Sequence, residues 1–184
     1  MKSPNYSKRK SPLQGVVLHY TAAGNYLSSA RWLCNPAAKA SAHVVIGRKG
    51  EVVELVSKEL KAWHAGIGEM YIKDKGVLSN PNDFTYGIEL ANYGNAYVGD
   101  YGKHADLKFD NGGVVSGYWE QYPQEQIDAL KGVLEQFPES IKYNIMGHDE
   151  IAMPLCRKND VGPLFPWEQF TRYALRRTRG ILTI

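Results

Sequence analysis

The chain has 184 residues, of which 43% are hydrophobic, and it carries a formal net charge of +3 at pH 7. This length suits one domain with one substantial core and is short for two. The charge is too mild to demand a nucleic-acid partner, and no run of about 18 apolar residues predicts a membrane span. The N-terminus lacks the apolar segment of a secretory signal, so we expect synthesis in the cytoplasm without ordinary export.

The first third of the chain predicts strands separated by one short helix. After a basic lead over residues 1–14, the apolar, β-branched run 15–21 predicts a buried strand. Ser28 or Ser29 then caps a short helix, and residues 43–56 predict a β-hairpin with a glycine-containing turn.

The rest of the chain predicts a strand, a tyrosine-rich segment and further helices. Residues 67–83 have mixed charge and predict a surface excursion, whereas residues 85–92 predict a strand. The Gly- and Tyr-rich segment 93–122 suits either a sugar-binding rim or ordinary packing in an irregular hairpin. The remaining elements are a helix from Pro123, a strand over 144–146 and a final helix from Pro166 or Trp167. Together these elements predict an α/β (α+β) fold with a central mixed sheet flanked by helices.

Two clusters of basic residues stand out near the ends of the chain. They are Lys8, Arg9 and Lys10, and Arg172, Arg176, Arg177 and Arg179. Each cluster could face an anionic polymer, although a solvated surface explains each of them as well.

The segment 147–163 combines metal-binding residue types with several turn-forming ones. His148 and Asp160 can bind zinc together, but a zinc site that stays open for water or substrate needs a third protein ligand. His19, at the end of the first long strand, is the candidate, although a core histidine bonded to backbone explains a lone histidine too. Cys156 could supply a thiolate instead, or could be an ordinary free thiol.

Two further places in the chain are unusual for their predicted structure. Glu89 lies inside a strand, where a buried unpaired carboxylate is costly, so it either points to solvent or serves a site. The segment Trp63-His64-Ala65-Gly66 fits neither a strand nor a helix, and its small residues would let a group approach the imidazole closely. If it has no functional role, Trp63 is simply a large side chain that packs in the core.

Five fragments follow one another in an order typical of one family of zinc enzymes. They are Ser41-Ala42-His43, Ala62-Trp63-His64-Ala65-Gly66, Gly87-Ile88-Glu89, Gly147-His148 and Lys158-Asn159-Asp160-Val161-Gly162-Pro163. With the strand that ends in His19, they resemble the zinc amidase family of type 2 N-acetylmuramoyl-L-alanine amidases, phage endolysin amidases and animal peptidoglycan-recognition proteins. The resemblance covers most of the chain.

The resemblance implies a role for each residue of these fragments. The zinc ligands would be His19, His148 and Asp160. Cys156 comes four residues too early for the ligand position and is assigned to packing. Glu89 would be the base that activates the attacking water, and Lys158 would stabilise the oxyanion. His43, Trp63 and His64 would line the site and contact substrate, with a supporting or structural role for the two histidines left open.

The implied reaction is hydrolysis of the amide between N-acetylmuramic acid and L-alanine of the peptidoglycan stem. We expect residues 1–184 to form a single catalytic domain that acts as a monomer on the bacterial cell wall, without a separate wall-binding domain, nucleic-acid partner or membrane insertion. Endolysin-type lysis is the preferred interpretation, and a cytosolic enzyme that recycles soluble muropeptides is an alternative. A muropeptide-recognition module without catalysis and a zinc peptidase that cuts within the stem also remain open.

Overall fold

The computed structural model describes residues 1–96, 99 and 102–170. Its strands are β1 (Tyr6–Lys8), β2 (Gly15–Tyr20), β3 (Val44–Ile46), β4 (Val52–Glu54), β5 (Leu60–Ala62), β6 (Glu69–Ile72), β7 (Gly76–Ser79), β8 (Thr85–Leu90), β9 (Gly102–Lys108), β10 (Val114–Glu120) and β11 (Ile145–Gly147). Its α-helices are α1 (Tyr26–Leu33), α2 (Gln124–Leu134), α3 (Glu139–Lys142) and α4 (His148–Ile151). Within the described chain, no helix has the length and apolar composition that crossing a membrane requires.

Parts of three predictions lie outside the described residues. They are Tyr97 and Tyr101 of the tyrosine-rich segment, the four C-terminal arginines, and the predicted final helix beyond residue 170. The described beginning of that predicted helix is a short 3-10 helix over Trp167–Phe170.

A five-stranded mixed sheet, in the order β11-β2-β8-β3-β4, forms the centre of the fold. Its first four strands run parallel, and β4 pairs antiparallel with β3. Because parallel strands end at the same edge of a sheet, the ends of β2, β8 and β11 lie together. This sheet with its flanking helices confirms the predicted architecture.

Both faces of the sheet are covered, so its strands are buried along most of their length. Val16 and Leu18 of β2 face a core formed with α2. Ile127, Leu130 and Leu134 of that helix are buried in this core. Val17 points to the opposite face and packs with Met70 and Ile151. Since side chains alternate along a strand, His19 shares this second face with Val17.

Two predictions in the first half of the chain are wrong in detail. The predicted surface excursion 67–83 contains the β6–β7 hairpin, whose alternate residues Met70 and Ile72 are buried. Its exposed face also carries apolar and aromatic side chains, which hid the alternation. The helix α1 begins at Tyr26, and its cap is Asn25, whose Oδ1 accepts a 3.0 Å hydrogen bond from the backbone N–H of Ser28.

The tyrosine-rich segment forms the β9–β10 hairpin, with Gly112 and Gly113 in its turn. Trp119 of β10 is 1% exposed and packs with Leu107 and Phe109. A Cβ atom on Gly162 would lie 2.7 Å from the Trp119 ring, so this hairpin packs closely against the segment after Asp160. The described part of the segment therefore matches the predicted hairpin with ordinary packing.

Candidate metal centre and active site

Three buried side chains converge where β2 and β11 end. His19 Nδ1 lies 3.0 Å from His148 Nδ1 and 3.0 Å from Asp160 Oδ2. His148 Nδ1 lies 3.0 Å from the same carboxylate oxygen. His148 opens α4 directly after β11. The three atoms form a nearly equilateral triangle, which is one face of a coordination tetrahedron.

The outer nitrogens of both imidazoles are held by other groups. His148 Nε2 donates to the carbonyl oxygen of Ala65 at 2.9 Å. His19 Nε2 lies 2.9 Å from Nδ1 of His64. With a proton on Nε2 in each neutral ring, both Nδ1 atoms direct a lone pair at the same point.

The charge states of these groups fit a divalent cation. Burial, helped by the neighbouring His148, lowers the pKa of His19 to about 4, so His19 is neutral near pH 7. Burial alone would raise the pKa of Asp160, but its close contacts with His148 and His19 outweigh burial and hold that pKa well below its usual value. Two neutral imidazoles and a carboxylate are a zinc donor set, and tetrahedral zinc with bonds of about 2.0–2.1 Å places its ligand atoms about 3.3 Å apart. The observed spacing fits such an ion.

Three hydrogen bonds fix the segment that carries Asp160. The backbone N–H of Asp149 donates to the Asp160 carbonyl at 2.6 Å. Tyr122 donates to the Val161 carbonyl at 2.8 Å, and Tyr20 donates to Asn159 Oδ1 at 2.6 Å. Sequence analysis missed both tyrosines, and the one available signal was the position of Tyr20 beside His19.

Glu89 stands next to the metal-binding triangle in the sheet. It is the register partner of His19 on the neighbouring parallel strand, so both side chains project from the same face. Its Oε2 is buried and makes no hydrogen bond within the described residues. Burial raises the pKa of Glu89 to about 8, with Asp160 adding to the rise and Lys158 opposing it. The carboxylate is therefore not the solvent-facing group of the alternative prediction.

Lys158 lies two residues before Asp160 in the same segment. Its side chain is exposed, and in the described part of the chain it has no hydrogen-bond or ion-pair partner. Its charge lowers the pKa of both Glu89 and His19. Lys158 is thus a free cation electrostatically coupled to the buried carboxylate.

A groove of about 370 Å³ opens beside Glu89, between the end of β2 and α1. Its lining residues are Tyr20, Thr21, Ala23, Ser28, Ser29, Trp32, Leu33 and Glu89. Trp32 is 56% exposed at this groove. Hydroxyl groups and an exposed indole suit a ligand with both polar and apolar surface. Sequence analysis did not single out these α1 residues, because the helix carries no motif.

The three predicted substrate contacts occupy different environments. His43 is fully buried, with Nδ1 accepting from the backbone N–H of Gly87 at 2.9 Å. This burial supports the structural alternative for His43, and its contact with substrate stays a prediction. Trp63 is half-buried, and its Nε1 donates to Ser7 Oγ at 3.2 Å. His64 contacts His19 directly, on the side away from Asp160.

Cys156 lies apart from the triangle of possible ligands. Its exposed thiol donates to Asn111 Oδ1 on the β9–β10 turn at 3.3 Å. Within the described residues, the group that could hold a metal is His19, His148 and Asp160.

Comparisons with known proteins agree with this geometry. The N-acetylmuramoyl-L-alanine amidase family model matches residues 9–163, which include the triangle, Glu89 and Lys158. Among curated proteins, the 1,6-anhydro-N-acetylmuramyl-L-alanine amidase AmpD of Escherichia coli K12 is 30% identical over 132 residues, covering 72% of this chain and 57% of that protein. The N-acetylmuramoyl-L-alanine amidase AmiD of the same strain is 30% identical over 174 residues, covering 87% of this chain and 52% of AmiD. The chain thus matches little more than half the length of these relatives.

Solved structures of amidases also resemble this chain in fold. A crystal structure of an AmpD derivative superposes with a TM-score of 0.65 at 25% identity, covering 95% of this chain and 92% of that one. AmiD from E. coli, in complex with the substrate anhydro-N-acetylmuramic acid-L-Ala-D-γ-Glu-L-Lys, superposes with a TM-score of 0.62 at 28% identity, covering 93% and 58%. The chain belongs to the N-acetylmuramoyl-L-alanine amidase family.

Proposed function

We propose that this chain is a zinc-dependent hydrolase of the amide between N-acetylmuramic acid and the L-alanine of peptidoglycan stem peptides. The observation that carries the proposal is the convergence of His19, His148 and Asp160 beside Glu89, whose buried Oε2 has no hydrogen-bond partner within the described residues. A recognition module would need neither a metal-binding triangle nor a base next to it.

Different side chains around the triangle have different roles in amide hydrolysis. A bound zinc ion supplies Lewis-acid chemistry, which makes water more acidic and polarises a carbonyl group. Glu89, whose raised pKa gives its carboxylate a strong affinity for a proton, takes in its ionised form the proton of the attacking water and later gives it to the leaving amine. Lys158, a cation with no partner in the described chain, stabilises the negative charge that develops on the carbonyl oxygen.

The groove beside Glu89 would hold the muramyl peptide. It is about 370 Å³ in volume and lies against the same carboxylate that acts as the base. The indole of Trp32 offers a flat apolar surface, and Ser28 and Ser29 offer hydroxyl groups. This combination suits a substrate in which a sugar and a peptide meet.

Soluble muramyl peptides and intact cell walls both contain the amide bond that this activity would cleave. AmpD is named for an anhydromuramyl substrate, and AmiD has been solved with one, which favours soluble muramyl peptides. Endolysin-type lysis of intact walls, expected from the sequence, stays a prediction. So do the monomeric state and the action of residues 1–184 as one catalytic domain.

Digestion of two substrates tests the proposal. Purified zinc-loaded protein is incubated separately with an anhydromuramyl tripeptide and with intact sacculi, and new chain ends are labelled and identified by mass spectrometry. We expect peptides with a free L-alanine amino group, released faster from the soluble substrate. New reducing sugar ends, free D-amino termini or binding without new ends would each contradict the proposal, and faster release from sacculi would favour the lytic role.

A further inference from the structure

The imidazole of His64 lies between His19 and a buried threonine. His64 Nδ1 is 2.9 Å from His19 Nε2, and His64 Nε2 is 3.3 Å from Thr85 Oγ1. Thr85 is fully buried, and its hydroxyl donates to the carbonyl oxygen of Pro81 at 2.6 Å. These contacts form one continuous chain of polar groups from His19 to the backbone.

The hydrogen bond from Thr85 to Pro81 determines the direction of the other hydrogen bonds between His19 and Thr85. Because the Thr85 hydroxyl gives its one proton to Pro81, it can only accept from His64 Nε2. The neutral ring of His64 therefore carries its single proton on Nε2, facing the Thr85 oxygen. His64 Nδ1 is then an acceptor, and His19 must donate to it from Nε2. The remaining lone pair of His19 is on Nδ1, which faces His148 and Asp160.

The backbone around His64 is fixed by one side chain. Asn82 Oδ1 accepts hydrogen bonds from the backbone N–H groups of His64 at 3.1 Å and of Ala65 at 2.8 Å. Ala65 is the residue whose carbonyl accepts from His148 Nε2. One turn therefore supplies the acceptors for both imidazoles of the triangle. The ring of His64 also has a close neighbour in Gly87, where a Cβ atom would overlap His64 Cγ.

We propose that His64 is a positioning residue that makes Nδ1 the metal-binding nitrogen of His19, and that Thr85 and Asn82 hold His64 in this role. The inference rests on the proposed metal centre. Partners behind a ligand histidine fix its tautomer and ring orientation, and their loss typically lowers metal affinity by about 10- to 100-fold. Without His64, the Nε2 proton of His19 has no acceptor, and the ring is free to turn away from the triangle.

Zinc affinity of matched variants tests the role of His64. Affinities are measured by competition with a chromophoric chelator for the wild type, His64→Leu, His64→Asn and the exposed control His104→Leu. We expect His64→Leu to weaken zinc binding by about 10- to 100-fold, since it removes the acceptor. His64→Asn places an amide oxygen near the former Nδ1 and should restore most of the affinity, and His104→Leu should have no effect.

The outcomes separate this inference from the proposed function. If the wild type binds no zinc, the metal centre itself is wrong. If the wild type binds zinc and His64→Leu binds it equally well, or His64→Asn gives no rescue, the role of His64 is wrong. Long-range ¹H–¹⁵N NMR couplings of the zinc-loaded wild type need no variant. They should show both His19 and His64 protonated on Nε2, and a proton on His64 Nδ1 would overturn the inference.

Discussion

His19 and Glu89 are register partners on the adjacent parallel strands β2 and β8, so their side chains leave the same face of the sheet side by side. This pairing places the candidate base next to a candidate metal ligand without the help of any loop. Strand pairing is among the most rigid relationships in a fold, and a catalytic group held this way needs little reorganisation during the reaction.

Glu89→Gln should keep the fold and zinc binding while lowering kcat by about 10² or more, because the amide cannot take a proton. Glu54→Gln, at an exposed position on β4, is the matched control and should leave kcat unchanged. Zinc content and single-turnover kinetics of both variants check the prediction. Near-normal turnover in Glu89→Gln would remove this residue from the chemistry.

Lys158→Met should lower kcat by about 10²–10³, which corresponds to the loss of one oxyanion-stabilising group. The variant should still bind zinc, because Lys158 is not part of the triangle and has no partner within the described residues. Steady-state kinetics beside Lys103→Met, an exposed lysine on β9, measure the effect. A rise in KM alone would instead indicate a role in substrate binding.

Tyr20 and Asn159 should stabilise the fold as a coupled pair. The hydrogen bond between them joins the strand of His19 to the segment of Asp160, so Tyr20→Phe should lower the free energy of unfolding by about 1 kcal/mol. A double-mutant cycle with Asn159→Ala, measured by urea unfolding, should give a coupling of about 0.5–1.5 kcal/mol. Additive effects of the two substitutions would mean that the hydrogen bond is not formed in solution.

The buried imidazole of His43 should make the metal-free protein less stable in acid. Burial lowers the pKa of His43 to about 3, against an ordinary value of about 6.5 in the unfolded chain. Between these values the unfolded chain binds a proton that the folded protein does not, so stability is complete above pH 6.5 and falls as the pH drops toward 3. One such proton changes the free energy of unfolding by about 1.4 kcal/mol per pH unit.

Urea unfolding between pH 4.5 and 7.5 measures how steeply the free energy of unfolding changes with pH. His43→Asn keeps an acceptor for the Gly87 N–H but cannot titrate. Its free energy of unfolding should therefore change less steeply with pH, by the amount that one proton contributes, whatever its absolute stability. His104→Asn, at an exposed position on β9, should leave the slope unchanged. Equal slopes for the wild type and His43→Asn would show that His43 is not held neutral.

Much of the sheet could be predicted because its strands have strong local signals. The apolar run through Val16 and Leu18 and the glycine turn before Val52 indicate strands in any context. The β6–β7 hairpin was missed because its alternation spans only four residues on each side and its exposed positions include the apolar or aromatic Tyr71 and Val77. The cap of α1 was placed wrongly because asparagine and serine are equally good caps, and only the tertiary fold selects Asn25.

The candidate site could be predicted only where it coincides with family motifs. His19, His148 and Asp160 were found through the resemblance, and their spacing of 129 and 12 residues matches no local metal motif. Groups that support the ligands were missed or misplaced, since a hydrogen bond such as that from Tyr20 to Asn159 exists only after distant segments meet. His43 was predicted to contact substrate because it belongs to a family motif, whereas its ring is buried, stacked on Tyr86 and bonded to the backbone N–H of Gly87.

Diffraction from a zinc-soaked crystal, recorded on both sides of the zinc absorption edge, tests the central claim most directly. We predict one strong anomalous peak at about 2.0–2.2 Å from Nδ1 of His19, Nδ1 of His148 and a carboxylate oxygen of Asp160. The Asp160→Ala protein should lose this peak under the same soak. A peak elsewhere, coordination through Nε2 of either histidine, or the absence of any peak at this triangle in the wild type would contradict the metal centre on which the proposed function depends.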